Sequence, residues 1–299
     1  MHMLVVMVRY VIPLQESQTI RSLEHILQSD PSLLNAFEFL IWDNSPHEAE
    51  DKTLPFPFIY QHSEKNRGVA GAYNEALKIA ASSGHPWMLL LDQDTILPAL
   101  FLQTMLKYSR QLDGEYSIAA IAPSVWVNGQ MMFPRRVRFN RTVAGSPSLM
   151  GVHEGEWTTA NSGIAMRVSA LQEVGGYSES FRLEFSDMYV FHRLHRIEKK
   201  LWIAGDIRLD HQLAITDYGG AMTPERYRNF AAAEDAFFNL CQSRMENVAQ
   251  TARLLIRTLR QLHGYSDKRF ARISFEYFLR RLTDSWVSRI RAWTSSLLP

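Results

Sequence analysis

The chain has 299 residues, of which 46% are hydrophobic and 21% are charged, and its formal net charge is +1. This composition is ordinary for a folded globular protein and excludes disorder, collagen or coiled coil as a description of the whole chain. The single cysteine, Cys241, excludes an intramolecular disulfide and a Cys-rich zinc site. No apolar run approaches the roughly 18 residues of a spanning helix, and Leu4–Val8 is too short for a signal peptide, so we expect a cytoplasmic protein.

The N-terminal part alternates short apolar strands with amphipathic helices. The predicted strands are Leu4–Val8, Phe37–Trp42 and Trp87–Leu91. The predicted helices are Thr19–Leu27, Val69–Ala81 and Pro98–Tyr108. This alternation predicts an α/β fold whose mainly parallel sheet is flanked by helices. Ligands of such sheets bind beyond the carboxyl ends of the strands, where Asp43, Asp92 and Asp94 are expected.

The middle of the chain is less regular, and the C-terminal part is helical. The predicted strands here are Ile118–Ala122, Ala160–Arg167 and Leu201–Ala204. The predicted helices are Ser169–Val174, Met188–Glu198 and everything from Pro224 onward, whereas the basic segment Pro134–Arg141 is predicted to be a loop. We therefore expect two domains, an α/β domain over residues 1–224 and a basic amphipathic helical region over residues 225–299.

The two predicted domains differ in charge. Residues 1–224 carry 19 Lys and Arg against 24 Asp and Glu, whereas residues 225–299 carry 13 against 7. Apolar residues from Phe275 to Leu297 recur at three- and four-residue steps, with arginines largely off that face. This pattern suits a helix at a membrane surface through residues 270–299. The alternative is a helix packed on the domain or on a dimer partner. Nucleic-acid binding is not expected, because no known module motif is present.

Asp92-Gln93-Asp94 follows a buried strand. In an extended segment the two carboxylates point the same way and suit a hard divalent cation, Mg²⁺ or Mn²⁺. Such a cation can stabilise a leaving nucleotide diphosphate. The alternative interpretation is a solvated turn before the helix at Pro98.

Two further segments have both a functional and a structural interpretation. Asp43 is suited to accept a hydrogen bond from a nucleotide base or ribose, or else to close an Asx-turn. The segment from Asn66 to Asn74 opens a helix, where Gly68 and Gly71 permit close approach of a phosphate or tight helix–sheet packing.

These signals together resemble a family 2 inverting glycosyltransferase with the GT-A fold. The ordered motifs are W-D-N-S, N-R-G-V-A-G-A-Y-N, L-L-L-D-Q-D, A-N-S-G-I-A-M-R, L-Q-E-V-G-G-Y, L-E-F-S-D-M-Y-V-F-H-R-L and L-D-H. They cover roughly residues 3–218. The L-D-Q-D motif is most similar to the rhamnosyltransferase-like branch.

The resemblance implies roles for residues that the pattern alone leaves open. Asp187, six residues before Arg193, matches the catalytic base. Asp94 and His211 match metal ligands, and Asp92 matches a position near the ribose or the metal-bound waters. The implied donor-binding residues are Tyr10, Asp43, Arg67, Gly68, Asn74, Asp92, Asn161, Ser162 and Gly163.

The chain also departs from the family pattern. Arg9-Tyr10-Val11 stands where many relatives have Tyr-Asn, and Ser186 precedes Asp187 where an acid is common. Glu184 is therefore a rival for the base.

The resemblance implies a metal-dependent enzyme. It would move a sugar, such as rhamnose, from a dTDP- or UDP-sugar to a cell-surface glycan such as an O-antigen, on a lipid-linked acceptor. A location on the inner face of the cytoplasmic membrane would follow. The alternative is a non-catalytic GT-A scaffold subunit of a glycan assembly complex. A nucleotidyltransferase is set aside, because Met7–Leu14 contains no glycine-rich phosphate loop.

Overall fold

A computed structural model describes residues 2–139, 141–210 and 218–295. The chain divides into two compact units. The first comprises Met1–Arg136 and Val143–His211, and the second comprises Val137–Thr142 and Gln212–Pro299.

The first unit is built on a nine-stranded mixed sheet. Its strands in chain order are β1 (Met3–Arg9), β2 (Phe37–Asp43), β3 (Ile59–His62), β4 (Trp87–Asp92), β5 (Ile118–Val127), β6 (Gln130–Phe133), β9 (Gly151–His153), β11 (Ile164–Arg167) and β12 (Lys200–Asp210). The numbers 7, 8 and 10 belong to three strands outside this sheet, which are described below. The strand order is β3-β2-β1-β4-β11-β5-β12-β9, with β6 paired to β5. Strands β1 to β4 pair in parallel, as do β5 and β12, whereas β11 lies antiparallel between β4 and β5. The predicted α/β architecture is therefore confirmed.

Helices cover both faces of this sheet because side chains of a strand alternate between its faces. The helices of this unit are α1 (Gln18–Ser29), α2 (Gly68–Ser82), α3 (Phe101–Gln111), α4 (Val168–Glu173) and α5 (Ser186–Arg196). Met3, Val5 and Met7 of β1 join one apolar core, which contains residues of α1 and α3. Leu4, Val6 and Val8 join the other core, which contains residues of α2 and α5.

The basic segment Pro134–Arg141 differs from its prediction as a loop. It forms β7 (Arg135–Arg138) and the start of β8 (Arg141–Ala144), which with β10 (Trp157–Thr158) make a separate three-stranded sheet. Side chains in β7 alternate between partly buried and exposed positions. Arginines with long apolar stems can line such a small sheet, so their charge does not indicate a loop.

Other boundaries also shift. The helix predicted from Pro98 begins at Phe101, because the preceding residues form a turn closed by the Phe101 N–H and the Pro98 carbonyl. Strand β12 continues past Ala204 to Asp210 through an irregularity in its pairing with β5.

Apart from the strand residues between Val137 and Thr142, the second unit is mainly helical in the part that the structure describes. Its helices are α6 (Pro224–Cys241), α7 (Arg244–Gly264), α8 (Arg269–Thr283) and α9 (Trp286–Ser295). Tyr227, Leu254, Phe270 and Ile273 are among its core residues. Among residues 2–139, 141–210 and 218–295, none of the helices is both long and apolar enough to span a bilayer.

The prediction of one apolar face from Phe275 to Leu297 is wrong for the described part. The helix ends at Thr283, and a new helix begins at Trp286. The side chain of Arg281, predicted off the apolar face, is buried and pairs with Asp235. A buried ion pair needs a partner from another helix, which helical spacing does not reveal. Leu297 lies outside the described residues.

Candidate active site

The turn after β4 carries two carboxylates of unequal exposure. Asp92 ends the strand and is partly buried, whereas Gln93 and Asp94 form the turn and Asp94 is exposed. Gln93 lies between them, and its amide makes two hydrogen bonds to the backbone of Tyr10. The Tyr10 N–H donates to Oε1 at 2.9 Å, and Nε2 donates to the Tyr10 carbonyl at 3.2 Å. The turn is therefore fastened to the chain that leaves β1.

A second fastening comes from the segment that enters β11. The Asp92 N–H donates to Ser162 Oγ at 3.0 Å, and the same Oγ bonds the Thr95 hydroxyl at 2.6 Å. The neighbouring Gly163 has a φ of +84°, and a Cβ there would lie 2.2 Å from Leu209 Cδ1. Glycine is thus required for the segment to approach β12 closely.

Asn161, the residue before Ser162, reaches the start of α5 instead. Its Nδ2 donates to Ser186 Oγ at 3.1 Å, and its Oδ1 accepts from the Tyr177 hydroxyl at 3.1 Å. Ser186 directly precedes Asp187 in the first turn of α5. Adjacent residues on one segment therefore hold the two elements that carry Asp92 and Asp187.

The Asp187 side chain is partly buried, and its carboxyl group is a weaker acid than that of an ordinary aspartate. Desolvation by the surrounding protein raises its pKa from 3.8 to about 6. The Met188 N–H, which donates to Oδ1 at 2.7 Å, opposes this shift, whereas the charges of Glu184 and Asp92 add to it. The charges of Glu184 and Asp92 therefore both act on Asp187. At neutral pH this carboxylate is ionised and is a stronger base than an ordinary aspartate.

Tyr73 of α2 lies fully buried beside the same carboxylates. Its pKa is raised well above the usual value, first by desolvation and then by the charges of Asp92 and neighbours that include Asp187. Its hydroxyl has no hydrogen-bond partner within the described ranges. Its ring packs on Tyr177, with the ring centroids 5.0 Å apart.

Asp43 is not presented to the crevice. Its side chain is fully buried, and its carboxylate is paired with Arg9 and accepts hydrogen bonds from the Tyr60 hydroxyl and from the Ser45 N–H at 2.9 Å. Burial alone would raise the pKa of Asp43, but these partners more than offset it and the pKa is lowered. The Ser45 contact is the Asx-turn that the sequence offered as the alternative to nucleotide contact.

The start of α2 is covered by protein rather than open. Gly68 has a φ of +69°, and a Cβ there would lie 2.3 Å from the Arg182 carbonyl oxygen, which accepts the Ala70 N–H at 3.2 Å. Arg67 donates to Glu75 at 2.7 Å and to Glu179 at 2.6 Å. Asn74 uses both ends of its amide on the Tyr177 backbone, at 2.9 and 2.8 Å. These residues join α2 to the chain that leads into α5.

The remaining predicted site residues differ in placement. Tyr10 is exposed beside the Asp92–Asp94 turn, and Glu184 is partly buried close to Asp187. The Arg193 guanidinium lies over the Tyr189 ring, 5.9 Å from its centroid. His211 lies outside the described residues. The sequence analysis assigned no role to Gln93, Tyr73, Tyr177 or Ser186, although all four stand in the motifs that carry the family resemblance.

A divalent cation fits the chemistry of the turn. Within the described ranges, no group of three or more His, Cys, Asp or Glu side chains is placed to hold a metal ion. Mg²⁺ sites commonly use one or two protein carboxylates and complete their coordination with substrate phosphates and water. The exposed Asp94 and the partly buried Asp92 match that kind of site.

Comparison with known proteins identifies the family. The model of glycosyl transferase family 2 matches residues 17–175, more than half of the chain. The chain therefore belongs to glycosyl transferase family 2 and is a glycosyltransferase. None of the curated protein sequences matches it significantly.

Solved structures show a similar fold. GalNAc-T7 with UDP, GalNAc and Mn²⁺ is 10% identical, with a TM-score of 0.54 over 97% of this chain and 58% of that chain. Residues 1–349 of S. aureus TarS are 16% identical, with a TM-score of 0.49 over 95% of this chain and 92% of that chain. At 10% identity the likeness to GalNAc-T7 concerns the fold alone.

Proposed function

We propose that this glycosyltransferase transfers a sugar from a nucleotide-diphosphate donor with inversion, and that Asp187 is its base. The single observation that carries the proposal is that two adjacent residues bond both elements: Asn161 donates to Ser186, which precedes Asp187, and Ser162 accepts the Asp92 N–H. The base carboxylate and the motif for the donor diphosphate thus share one site.

The reaction needs one proton acceptor and one stabilised leaving group. The acceptor hydroxyl loses its proton to the Asp187 carboxylate while its oxygen bonds to the anomeric carbon of the sugar. The bond from that carbon to the diphosphate oxygen breaks on the opposite face, and its electron pair leaves with the diphosphate. Because the pKa of Asp187 is about 6, its carboxylate is both ionised at neutral pH and basic enough to assist.

We propose that Asp94 and Asp92, with His211, hold Mg²⁺ or Mn²⁺. When bound, the cation supplies positive charge that stabilises the leaving diphosphate. Asn161, Ser162 and Gly163 then line the sugar subsite, and Tyr10 lies at its edge. The shared fold of GalNAc-T7, which was solved with UDP and Mn²⁺, supports this choice of ligand class.

The donor and acceptor are proposed more narrowly from the L-D-Q-D resemblance. The donor is a dTDP- or UDP-sugar, with rhamnose as the transferred sugar, and the acceptor is a lipid-linked cell-surface glycan. We expect only indirect support of the nucleotide from Arg67, Gly68, Asn74 and Asp43. The side chains of Arg67, Asn74 and Asp43 are already hydrogen-bonded to protein groups, and the Arg182 carbonyl fills the space beside Gly68. We assign catalysis to residues 1–224.

We further propose peripheral contact of residues 270–299 with the cytoplasmic face of the membrane. Phe275, Leu279, Leu282 and Trp286 are exposed, and Arg272 is exposed near them in sequence. Aromatic and cationic side chains together favour a headgroup region. Replacing both Leu282 and Trp286 by Glu should release the chain from anionic vesicles, and unchanged binding would refute this contact.

A thermal-shift screen of nucleotide-sugars with and without Mn²⁺ tests the function. A ligand that binds only the folded protein raises its melting temperature. We expect metal-dependent protection by a dTDP- or UDP-sugar and none by the free sugar. Product analysis with the protecting donor then shows whether the anomeric configuration is inverted. Protection by no donor would contradict the proposal.

A further inference from the structure

Helix α7 has one buried face and, on another side, an exposed apolar face. One face is buried in the second unit and carries Gln250, Leu254, Thr258 and Gln261. The other is exposed and forms what we call the α7 seam. The seam consists of Met245, Val248, Ala252, Leu255, Leu259 and Leu262.

The spacing of the α7 seam is specific. Its members follow one another by three, four, three, four and three residues, which is the a/d pattern of a helix that packs on another helix. The seam runs about 26 Å along the helix axis. Met245 and Val248 are 74% and 71% exposed, so no described part of the chain covers that end of the seam.

Charge around the α7 seam favours a protein helix over a lipid surface. The positions that flank its middle are Ala249, Thr251, Ile256 and Thr258, none of which is charged. Arg257 turns inward and forms a two-fold hydrogen-bonded ion pair with Glu234, with both distances 2.7 Å. The exposed cations Arg244, Arg260 and His263 lie towards the two ends of the seam. A helix that lies on a bilayer surface is rich in Lys and Arg on the polar face that borders its apolar face.

The uncharged flanks also allow self-association, since two copies would bring no like charges together along the middle of the seam. With Ile256, the exposed apolar side chains present roughly 500 Å² per copy, so a pair would bury about 1,000 Å², the lower bound for a specific interface. A two-fold axis uses the same patch on both copies, and this patch is self-complementary in chemistry. We propose that the α7 seam binds a second copy of this chain and makes the protein a homodimer.

Sedimentation equilibrium of the full chain between about 1 and 50 µM tests the proposal. We expect the mass of two chains for the wild type and of one chain for Leu255→Glu/Leu259→Glu, a loss of affinity of at least 100-fold. Leu282→Glu is the matched control, because it charges a leucine of α8 that is more exposed than Leu255 and Leu259 and lies outside the seam. That variant should remain dimeric.

Leu255→Gln/Leu259→Gln keeps strong helix formers without adding charge. Its circular dichroism and melting curve show whether a monomer is folded, and a folded monomer supports the proposal. A monomeric wild type at 50 µM overturns it, as does a seam variant that stays dimeric. Loss of binding to anionic vesicles without any change in mass overturns it as well, because a membrane would then be the occupant.

Discussion

Asn161 donates a hydrogen bond to the Ser186 hydroxyl, and so links the start of β11 to the residue that precedes Asp187. The next residue, Ser162, accepts the N–H of Asp92. The distance between the proposed base and the proposed diphosphate site is therefore set by two adjacent residues. Such a short connection limits the relative movement of the two carboxylates, and catalysis by oriented groups requires that limit.

Asp187→Asn should lower turnover by about 10²–10⁴-fold, because the amide cannot accept the proton of the acceptor hydroxyl. Donor protection in a thermal-shift assay should persist. Glu184→Gln is the matched control, since the charge of Glu184 also acts on Asp187, and we expect this variant to retain most of the turnover. Equal rates for wild type and Asp187→Asn would exclude Asp187 as the base, and loss of turnover only in Glu184→Gln would transfer the role to Glu184.

Asp187→Asn should also raise the free energy of unfolding at high pH. Because the folded pKa of Asp187 is raised, the folded state keeps a proton that the unfolded state releases between pH 3.8 and about 6. Stability from this group therefore falls as pH rises through that window and stays low above it. We expect Asp187→Asn to gain about 2–3 kcal/mol at pH 8 and little at pH 4. Melting temperatures at both pH values measure this, and an equal gain at both would contradict the desolvation of Asp187.

Ser162→Ala should destabilise the first unit by about 1–3 kcal/mol, because it leaves the Asp92 N–H without its acceptor. It should also lower turnover, since the turn that carries Asp92 loses a fastening. Ser146→Ala is the control, because Ser146 is exposed and its hydroxyl bonds only the neighbouring Ser148 hydroxyl and N–H. Urea unfolding of the two variants gives the comparison. Equal effects would mean that the buried hydroxyl does not hold the turn.

Gly68→Ala and Gly84→Ala separate backbone strain from steric contact. Both glycines have positive φ, +69° and +74°, but an added Cβ meets the Arg182 carbonyl at Gly68 and nothing within 4 Å at Gly84. Gly84→Ala should cost about 1–2 kcal/mol, the usual penalty of this conformation. Gly68→Ala should cost clearly more in the same denaturation assay. A matching loss in both variants would show that the Arg182 segment does not press on α2.

Asp94→Asn should abolish Mn²⁺-dependent donor protection without lowering the stability of the free protein, because its carboxylate is exposed. Glu115→Gln removes an exposed acid that precedes the start of β5, whereas Asp94 follows the end of β4. This variant should leave protection intact. Calorimetric titration with Mn²⁺ and the nucleoside diphosphate measures both. Undiminished metal-dependent binding in Asp94→Asn would remove Asp94 from the proposed metal site.

Local sequence patterns predict the strands of the sheet well and the buried ion pairs of the protein not at all. Leu4–Val8 and Trp87–Leu91 are short uninterrupted apolar runs, which are typical of strands covered on both faces, and the structure extends each by a residue or two. Arg9 pairs with Asp43 from 34 residues away, and Arg281 pairs with Asp235 from 46 residues away. Neither pair has a periodic signal, because each depends on how distant elements meet.

The candidate site shows the same division. Asp92, Asp94 and Asp187 stand in recognisable motifs, so their residues could be named before any geometry was known. Tyr177 and Ser186 act through hydrogen bonds to Asn161, and the motifs in which they stand do not reveal these bonds. The burial of Asp43 was equally hidden, because an aspartate at a strand end suits a turn and a ligand alike.

The amide of Gln93 serves as a peptide substitute, offering one donor and one acceptor to Tyr10 as a neighbouring strand would. The Gln93 side chain thus extends the hydrogen-bonding pattern of the sheet beyond the last backbone pair, at the rim of the crevice. A glutamate at this position would set a negative oxygen against the Tyr10 carbonyl and part the two loops. The middle letter of the D-Q-D motif is therefore under structural constraint of its own, separate from the duties of the two acids beside it.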